Sequence, residues 1–381
     1  MSNAFKKKES VDSNLHAILS QAELLKALSH QQSLVERKTT TPILSHVHLS
    51  AETESLLIIG TDLERTLEES IPAQIHQTGQ TTVSAHTFRD LIRKFPEQEP
   101  ITLFLSPEGL TIKNTFAQFV LPTLPAEDFP SLSGQELPYQ WMISKKALSQ
   151  LIDDTRFSMS MEEARYALNS IYFHYHDHQW RAVATDAHRL AMRLMPVDDP
   201  LFKTLPNILV GRKTIHELSK LLDDAPEEIS LAISSRQLRL SFGDCVFSSR
   251  LLEGQFPDYW QAIPQEHPYV VELDVRSFSE SIDRVGMVSS DKHRLVKCTF
   301  QHNELSLSAY SQRYGSGHER LLINYAGADM VIGFNPRYVL DICSRMKGAT
   351  IALFLKDGIS PALFKDPTDD KVLFVLMPMR L

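Results

Sequence analysis

Asp186 and His188 lie two residues apart in Ala184-Thr185-Asp186-Ala187-His188-Arg189-Leu190, a carboxylate and an imidazole that could form an acid–base pair. A base of this kind needs a nucleophile to serve, and the chain has no Gly-x-Ser-x-Gly elbow. His174, His176 and His178 alternate in Phe-His-Tyr-His-Asp-His, a spacing that puts three imidazoles on one face if the segment is a strand. Such a face could take zinc or nickel, whereas Asp177 and Gln179 suggest a hairpin tip. There is no Gly-x-x-x-x-Gly-Lys-[Ser/Thr] loop and no Gly-x-Gly-x-x-Gly, and Gly315-Ser316-Gly317 reads as a loop. A hydrolase or metalloenzyme built on Asp186/His188 or on the His174/His176/His178 strand is carried as the alternative. The expectation is no catalytic residue, no metal and no cofactor. A different chemistry sits at the chain end. The apolar strand 372–376 runs into Met377-Pro378-Met379-Arg380-Leu381, and methionine-rich surfaces accept varied partners.

The elements that position these residues recur. Residues 20–28 read as a helix, 42–51 and 55–59 as strands, and 84–95 as a second helix with Ser84 at the N-cap and Phe88, Leu91, Ile92 and Phe95 on one face. Strands at 101–105 and 110–121 lead to a proline-rich turn. The order repeats with helices at 144–152 and 211–222. It repeats again with a stripe of Phe278, Ile282 and Val285 and a helix opened by Asn335-Pro336. Thr61-Asp62 and Thr185-Asp186 are 124 residues apart, and the second helices begin at 84, 211 and 335. Three copies of one helix–strands–helix–strands unit fill nearly the whole chain.

At 381 residues the chain is long enough for two or three domains, and 43% hydrophobic with 23% charged residues is an ordinary globular composition. No run approaches the roughly 18 apolar residues of a membrane span. Lys6-Lys7-Lys8 is followed by no apolar run, which argues against a signal peptide. Cys245, Cys298 and Cys343 are widely spaced and odd in number, the pattern of reduced thiols in a cytoplasmic protein.

The net charge of −8 argues against bulk coating of nucleic acid, yet positive charge is concentrated on equivalent helices. The second helix of each copy carries an excess of two positive charges: Arg89, Arg93 and Lys94 against Asp90, Arg212, Lys213 and Lys220 against Glu217, and Arg337, Arg345 and Lys347 against Asp341. Set around an axis, these helices would neutralise phosphates without reading bases.

These residues resemble the β subunit of bacterial DNA polymerase III, the processivity sliding-clamp family. The likeness runs from about residue 15 to 381. It is carried by Thr41-Pro42-Ile43-Leu44, Gly60-Thr61-Asp62-Leu63-Glu64, Asp128-Phe129-Pro130, Arg156-Phe157-Ser158-Met159, 183–191, Phe256-Pro257-Asp258-Tyr259, Ile332-Gly333-Phe334-Asn335 and the terminal 377–381. The resemblance implies an α+β fold of three clamp-type domains, each with two helices packed on antiparallel sheets, at 15–136, 137–262 and 263–381 after a polar extension at 1–14. It further implies a head-to-tail homodimer closing into a pseudo-sixfold ring around double-stranded DNA. Such a ring tethers the polymerase and other replication and repair proteins, is opened by a clamp loader, catalyses nothing and works in the bacterial cytoplasm at the nucleoid.

By the same resemblance a partner-peptide pocket would be lined by Leu168, Thr185, His188, Arg189, Leu190, Pro257, Asn335, Tyr338, Ile359, Val375, Met377, Pro378, Met379 and Arg380. DNA-facing positions would be Arg37, Lys38, Arg89, Arg93, Lys213, Lys220, Arg337 and Arg345, and the subunit contact would use Phe119, Met287 and Val288. Ala187, where the family usually has Gly, Gln261 and Ala262, where it often has Arg, and His293 and Pro361 depart from the pattern.

Overall fold

The computed structural model describes residues 15–37, 39–97, 99–130, 136–162, 164–289 and 294–381; Lys38, His293 and the 1–14 extension named above lie outside them. Six times the described chain runs strand, helix, three-stranded meander. The first half-unit is β1 (His16–Ser20), α1 (Gln21–Gln31), β2 (His46–Ala51), β3 (Ser55–Thr61) and β4 (Arg65–Gln77). The second is β5 (Gly79–Ser84), α2 (Ala85–Ile92), β6 (Pro100–Ser106), β7 (Gly109–Lys113) and β8 (Gln118–Leu121), followed by the short β9 (Thr123–Leu124). The third is β10 (Tyr139–Ser144), α3 (Lys145–Asp153), β11 (Ser170–His176), β12 (Gln179–Thr185) and β13 (Arg189–Pro196). The fourth is β14 (Ile208–Gly211), α4 (Arg212–Asp224), β15 (Glu228–Ile233), β16 (Gln237–Phe242) and β17 (Cys245–Arg250). The fifth is β18 (Tyr269–Asp274), α5 (Val275–Gly286), β19 (Val296–Gln301), β20 (Glu304–Ser311) and β21 (Gly315–Leu322). The sixth is β22 (Met330–Phe334), α6 (Pro336–Cys343), β23 (Thr350–Leu355), β24 (Ala362–Asp366) and β25 (Asp369–Leu376).

Within each pair of half-units the leading strand of one half joins the meander of the other: β1 with β6, β5 with β2, β10 with β15, β14 with β11, β18 with β23 and β22 with β19. All these pairings are antiparallel, and β1 pairs antiparallel with β4 of its own half-unit as well. Two further pairings join meanders of successive repeats, β4 with β17 and β13 with β25. β8 and β21 are left as outer edges, paired only with β7 and β20 among the described residues.

The helices turn apolar stripes onto these sheets. Phe88 and Ile92 of α2, Phe278, Ile282 and Val285 of α5, and Val339, Ile342 and Cys343 of α6 are buried. Asp274 and Asn335 cap α5 and α6 by accepting from the backbone N–H of Ser277 and Arg337. Ser84 stands at the N-cap of α2, but its hydroxyl turns to Thr87 Oγ1 instead of a backbone amide. Pro42–Ser45, expected as the start of a strand, is a 3-10 turn closed by the Ser45 hydroxyl on the Pro42 carbonyl, since proline offers no ladder N–H. The chain packs as two compact units, one of the described part of Met1–Lys145 with Lys220–Arg250, the other of Lys146–Ser219 with Leu251–Leu381. Among the described residues no helix is long and apolar enough to cross a membrane.

Candidate functional site

The Thr-Asp repeat is one turn built twice from its own side chains. Between β12 and β13, the Thr185 hydroxyl donates to the Arg189 carbonyl and accepts from the Ala187 N–H. Asp186 Oδ1 accepts from the backbone N–H of His188 and Arg189, and its Oδ2 from Arg189 Nε. Between β3 and β4, Thr61, Asp62, Leu63, Glu64 and Arg65 make the same set of bonds. The third residue takes a left-handed backbone in both, φ 75° at Leu63 and 74° at Ala187. Replacing Ala187 by Gly removes the Cβ clash of that conformation, which costs roughly 1–2 kcal/mol, against an entropic loss of about 0.5–1 kcal/mol. Ala187→Gly is therefore expected to stabilise the protein by about 0.5–1 kcal/mol in chemical denaturation.

This arrangement corrects the acid–base reading. The Asp186 carboxylate is consumed by the turn, and the contact it makes with His188 is to the backbone, not the imidazole. The three histidines do not share a face either. His178 lies in the turn after β11 with φ 56°, and His174 is buried with Nε2 2.9 Å from the Tyr259 hydroxyl. Burial, with Arg181 close by, pulls the His174 pKa down to about 4. No cluster able to hold a metal occurs among the described residues. Cys245, Cys298 and Cys343 are buried, and burial pushes each thiol up to about 12, so none is a thiolate nucleophile at neutral pH.

The turn shapes an apolar cavity of about 270 Å³ lined by Leu168, Thr185, Ala187, Arg189, Leu190, Pro257, Asp258, Tyr259, Ala262, Val375 and Met377. Leu190 and Val375 face each other across the β13–β25 ladder and form a buried floor. The Met377 N–H donates to the His188 carbonyl at 2.9 Å, fixing the end of β25 against the turn, and leaves the methionine side chain partly exposed at the mouth. One step on, the Met379 N–H reaches the Gly333 carbonyl at 2.8 Å. A Cβ at Gly333 would stand 3.1 Å from the Met379 carbonyl oxygen, so the glycine admits the tail. Arg189 holds the opposite wall: Nη2 donates to the Phe157 carbonyl at 2.6 Å, Nη1 pairs with Asp341, and the guanidinium lies 4.2 Å from the Tyr338 ring centroid.

Seven of the fourteen expected pocket residues thus meet around one cavity: Leu168, Thr185, Arg189, Leu190, Pro257, Val375 and Met377. His188, Asn335, Tyr338, Ile359, Pro378, Met379 and Arg380 are outside that lining. Asn335 caps α6, Tyr338 backs Arg189, and Ile359 is 88% exposed. Asp258, Tyr259 and Ala262 were missed, although the Phe256-Pro257-Asp258-Tyr259 motif marks the segment. The Asp258 side chain accepts from Trp260 N–H and Gln261 Nε2, building the turn that presents them. With the Thr185 hydroxyl and the Asp258 carboxylate engaged in their own turns, the arrangement offers a preformed place to bury apolar side chains.

Family models match along the chain: the N-terminal, central and C-terminal domains of the DNA polymerase III beta subunit, at residues 15–133, 142–258 and 260–380. The chain belongs to the DNA polymerase III beta subunit family. It is 38% identical over 369 residues to the beta sliding clamp of Caulobacter vibrioides, covering 95% of this chain and 99% of that protein. With the clamp of Escherichia coli K12 the identity is 33% over 94% of this chain and 98% of that protein. Among solved structures, a Caulobacter crescentus beta sliding clamp aligns with TM-score 0.94 and 38% identity, over 97% of this chain and all of the other. A Bartonella birtlesii sliding clamp bound to griselimycin also aligns with TM-score 0.94, at 35% identity and the same coverage.

The remaining expected positions of this beta-subunit chain are variously placed. Arg37, Arg93, Lys213, Lys220 and Arg337 are exposed. Arg89 is half-buried and paired with Asp90, and Arg345 is half-buried with its guanidinium 5.8 Å from the Phe157 ring centroid. Phe119 lies on the outer edge strand β8, 43% exposed and edge-on to Phe95. Met287, just past α5, is 76% exposed, while Val288 packs partly onto the core beneath β19 and β20.

Proposed function

We propose that the protein is a non-catalytic DNA sliding clamp, built of three repeats at 15–136, 137–262 and 263–381, which encircles double-stranded DNA and tethers replication and repair proteins through the Leu190/Val375/Met377 cavity. The observation that carries this reading is the pair of open edges. Meanders of successive repeats already pair twice, β4 with β17 and β13 with β25, while among the described residues β8 and β21 are paired on one side only and carry exposed apolar side chains at or near them, among them Phe116, Phe119, Val120 and Leu322. An exposed apolar edge is an aggregation hazard unless a partner covers it. Pairing β8 of one copy with β21 of another repeats the same joint. Two copies joined head-to-tail at both ends close into a ring of six repeats. Phe119, Met287 and Val288 belong to that contact. The hydrolase or metalloenzyme alternative finds no support in the geometry of Asp186 or of the histidines.

A ring retains DNA topologically, so its lining needs only diffuse phosphate contacts. Arg37, Arg93, Lys213, Lys220 and Arg337 would supply them from exposed positions, with the half-buried Arg89 and Arg345 contributing less. Binding to short duplex is expected to weaken steeply with salt and to show no base preference. The working compartment is the bacterial cytoplasm, at the nucleoid. The partner that loads the ring supplies its own ATP.

The experiment that tests the ring contact is sedimentation equilibrium of wild type and Phe119→Arg. A charge set in an apolar edge contact should raise the dimer dissociation constant on the order of 100-fold, leaving a folded monomer. Unchanged association in Phe119→Arg would remove β8 from the joint.

A further inference from the structure

A second, ionic device reinforces each strand joint, and the two differ in chemistry. His30, in the last turn of α1, has Nδ1 at 2.9 Å from Glu69 Oε1 on β4 and Nε2 at 2.8 Å from Asp224 Oδ2, the last residue of α4. The imidazole and Glu69 are largely buried, and Asp224 is about half exposed. At the β13–β25 joint the positions 124 residues further on are Asp154, after α3, and Arg193, on β13. There Arg193 lies between Asp154 and Asp369, and Lys347, beyond the end of α6, pairs with Asp369. One joint is clasped by fixed cations. The other is clasped by a histidine.

We propose that His30 is a proton-operated clasp on the β4–β17 joint, closed when the imidazole is charged and released on one side when it is neutral. The geometry dictates it. A neutral imidazole has a single N–H, so with a carboxylate oxygen against both ring nitrogens one contact sets lone pair against lone pair. Only the imidazolium donates to Glu69 and Asp224 together. The other titratable groups around the clasp are Lys26 on α1, 3.8 Å from Asp224, Lys145 at the start of α3, whose field reaches Asp224, and on β17 the neutral thiol of Cys245, beside Glu69. Both lysines favour the Asp224 carboxylate and oppose the imidazolium. The contact released on deprotonation is the one to Asp224, which water can reach.

The hydrogen bond to Glu69 is the largest influence on His30 and raises its pKa above 6.5, with Asp224 acting in the same direction against burial. A raised folded-state pKa means that the clasp's contribution is complete below pH 6.5 and is lost as pH rises through the folded-state value. At the other joint the bridging cation is the Arg193 guanidinium and not an imidazole.

The test uses full-length protein carrying ¹³C-labelled histidine, with hydrogen exchange followed from pH 5.5 to 8.5 and corrected for intrinsic chemical rates. The His30 resonance is expected to titrate above 6.5. Amides at the ends of α1 and α4 are expected to exchange about fivefold faster above that midpoint, the effect of one charge-assisted hydrogen bond. His30→Gln should remove the pH dependence there, while the ends of α3 and α6 stay flat in both proteins. Asp224→Asn, at a half-exposed position, gives the same readout if His30→Gln fails to fold. Titration at or below 6.5, or equal pH dependence in wild type and both variants, would overturn the proposal.

Discussion

Met377→Glu is expected to abolish measurable binding of a clamp-binding peptide with a Leu-Phe-type anchor, weakening it by at least roughly 100-fold. The side chain stands at the mouth of the cavity floored by Leu190 and Val375, and partner side chains entering there would bury against it. A carboxylate at that point either stays ionised against apolar surface or must be desolvated by the incoming plug, and both cost several kcal/mol. The backbone tie from Met377 N–H to the His188 carbonyl survives the substitution, and the side chain is outside the buried core. Fold and ring assembly should therefore be unchanged. A fluorescence-polarisation titration alongside light scattering checks both. Wild-type affinity in the variant would mean that partners dock elsewhere.

Arg193→Ala should cost about 3–5 kcal/mol of stability, the largest effect of any single substitution considered, because it strips the cation from a buried pair of carboxylates. Arg193 and Asp154 are buried and Asp369 is partly buried, and Lys347 remains, 2.9 Å from Asp369 and 3.9 Å from Asp154. The two acids respond oppositely to the site. Burial dominates at Asp154 and raises its pKa. Burial acts on Asp369 too, but hydrogen bonds from Arg193 and Lys347 outweigh it and hold the group at about 2. The contribution of Asp369 is thus present above the ordinary 3.8 and is lost as pH falls towards 2. Urea denaturation of wild type and variant at pH 7 and pH 3 should show the difference between them shrinking at the lower pH, as the stranded carboxylates take up protons.

What the chain disclosed of this architecture was its local chemistry. The Thr-Asp offset was legible because the turn is closed by its own threonine and aspartate, and the stripes of Phe88, Ile92, Phe278 and Ile282 because a helix needs one apolar face. The exchange of leading strands between half-units left no local mark. The partners of β1 and β10 lie far along the chain, so the finer sixfold recurrence of strand, helix and meander stayed hidden behind the threefold one. The cavity was half legible for the same reason. Leu190, Val375 and Met377 flank recognisable motifs, whereas Ala262 and Tyr259 reach the cavity through a turn set by Asp258. Asn335, which caps α6, and Tyr338, under the Arg189 guanidinium, stand next to that lining through contacts that no local motif announces. His30 gave no signal at all, since its two carboxylates lie 39 and 194 residues away.

Whether this protein holds DNA by encircling it is decided by topology. Protein would be loaded onto a nicked circular plasmid by a clamp loader with ATP, then passed through a gel-filtration column in high salt, with half the sample first linearised by a restriction enzyme. Co-elution with the circle and loss from the linear form are expected, because the ring slides off free ends while salt removes only the diffuse phosphate contacts. Equal retention on both forms, or equal loss from both, would contradict it.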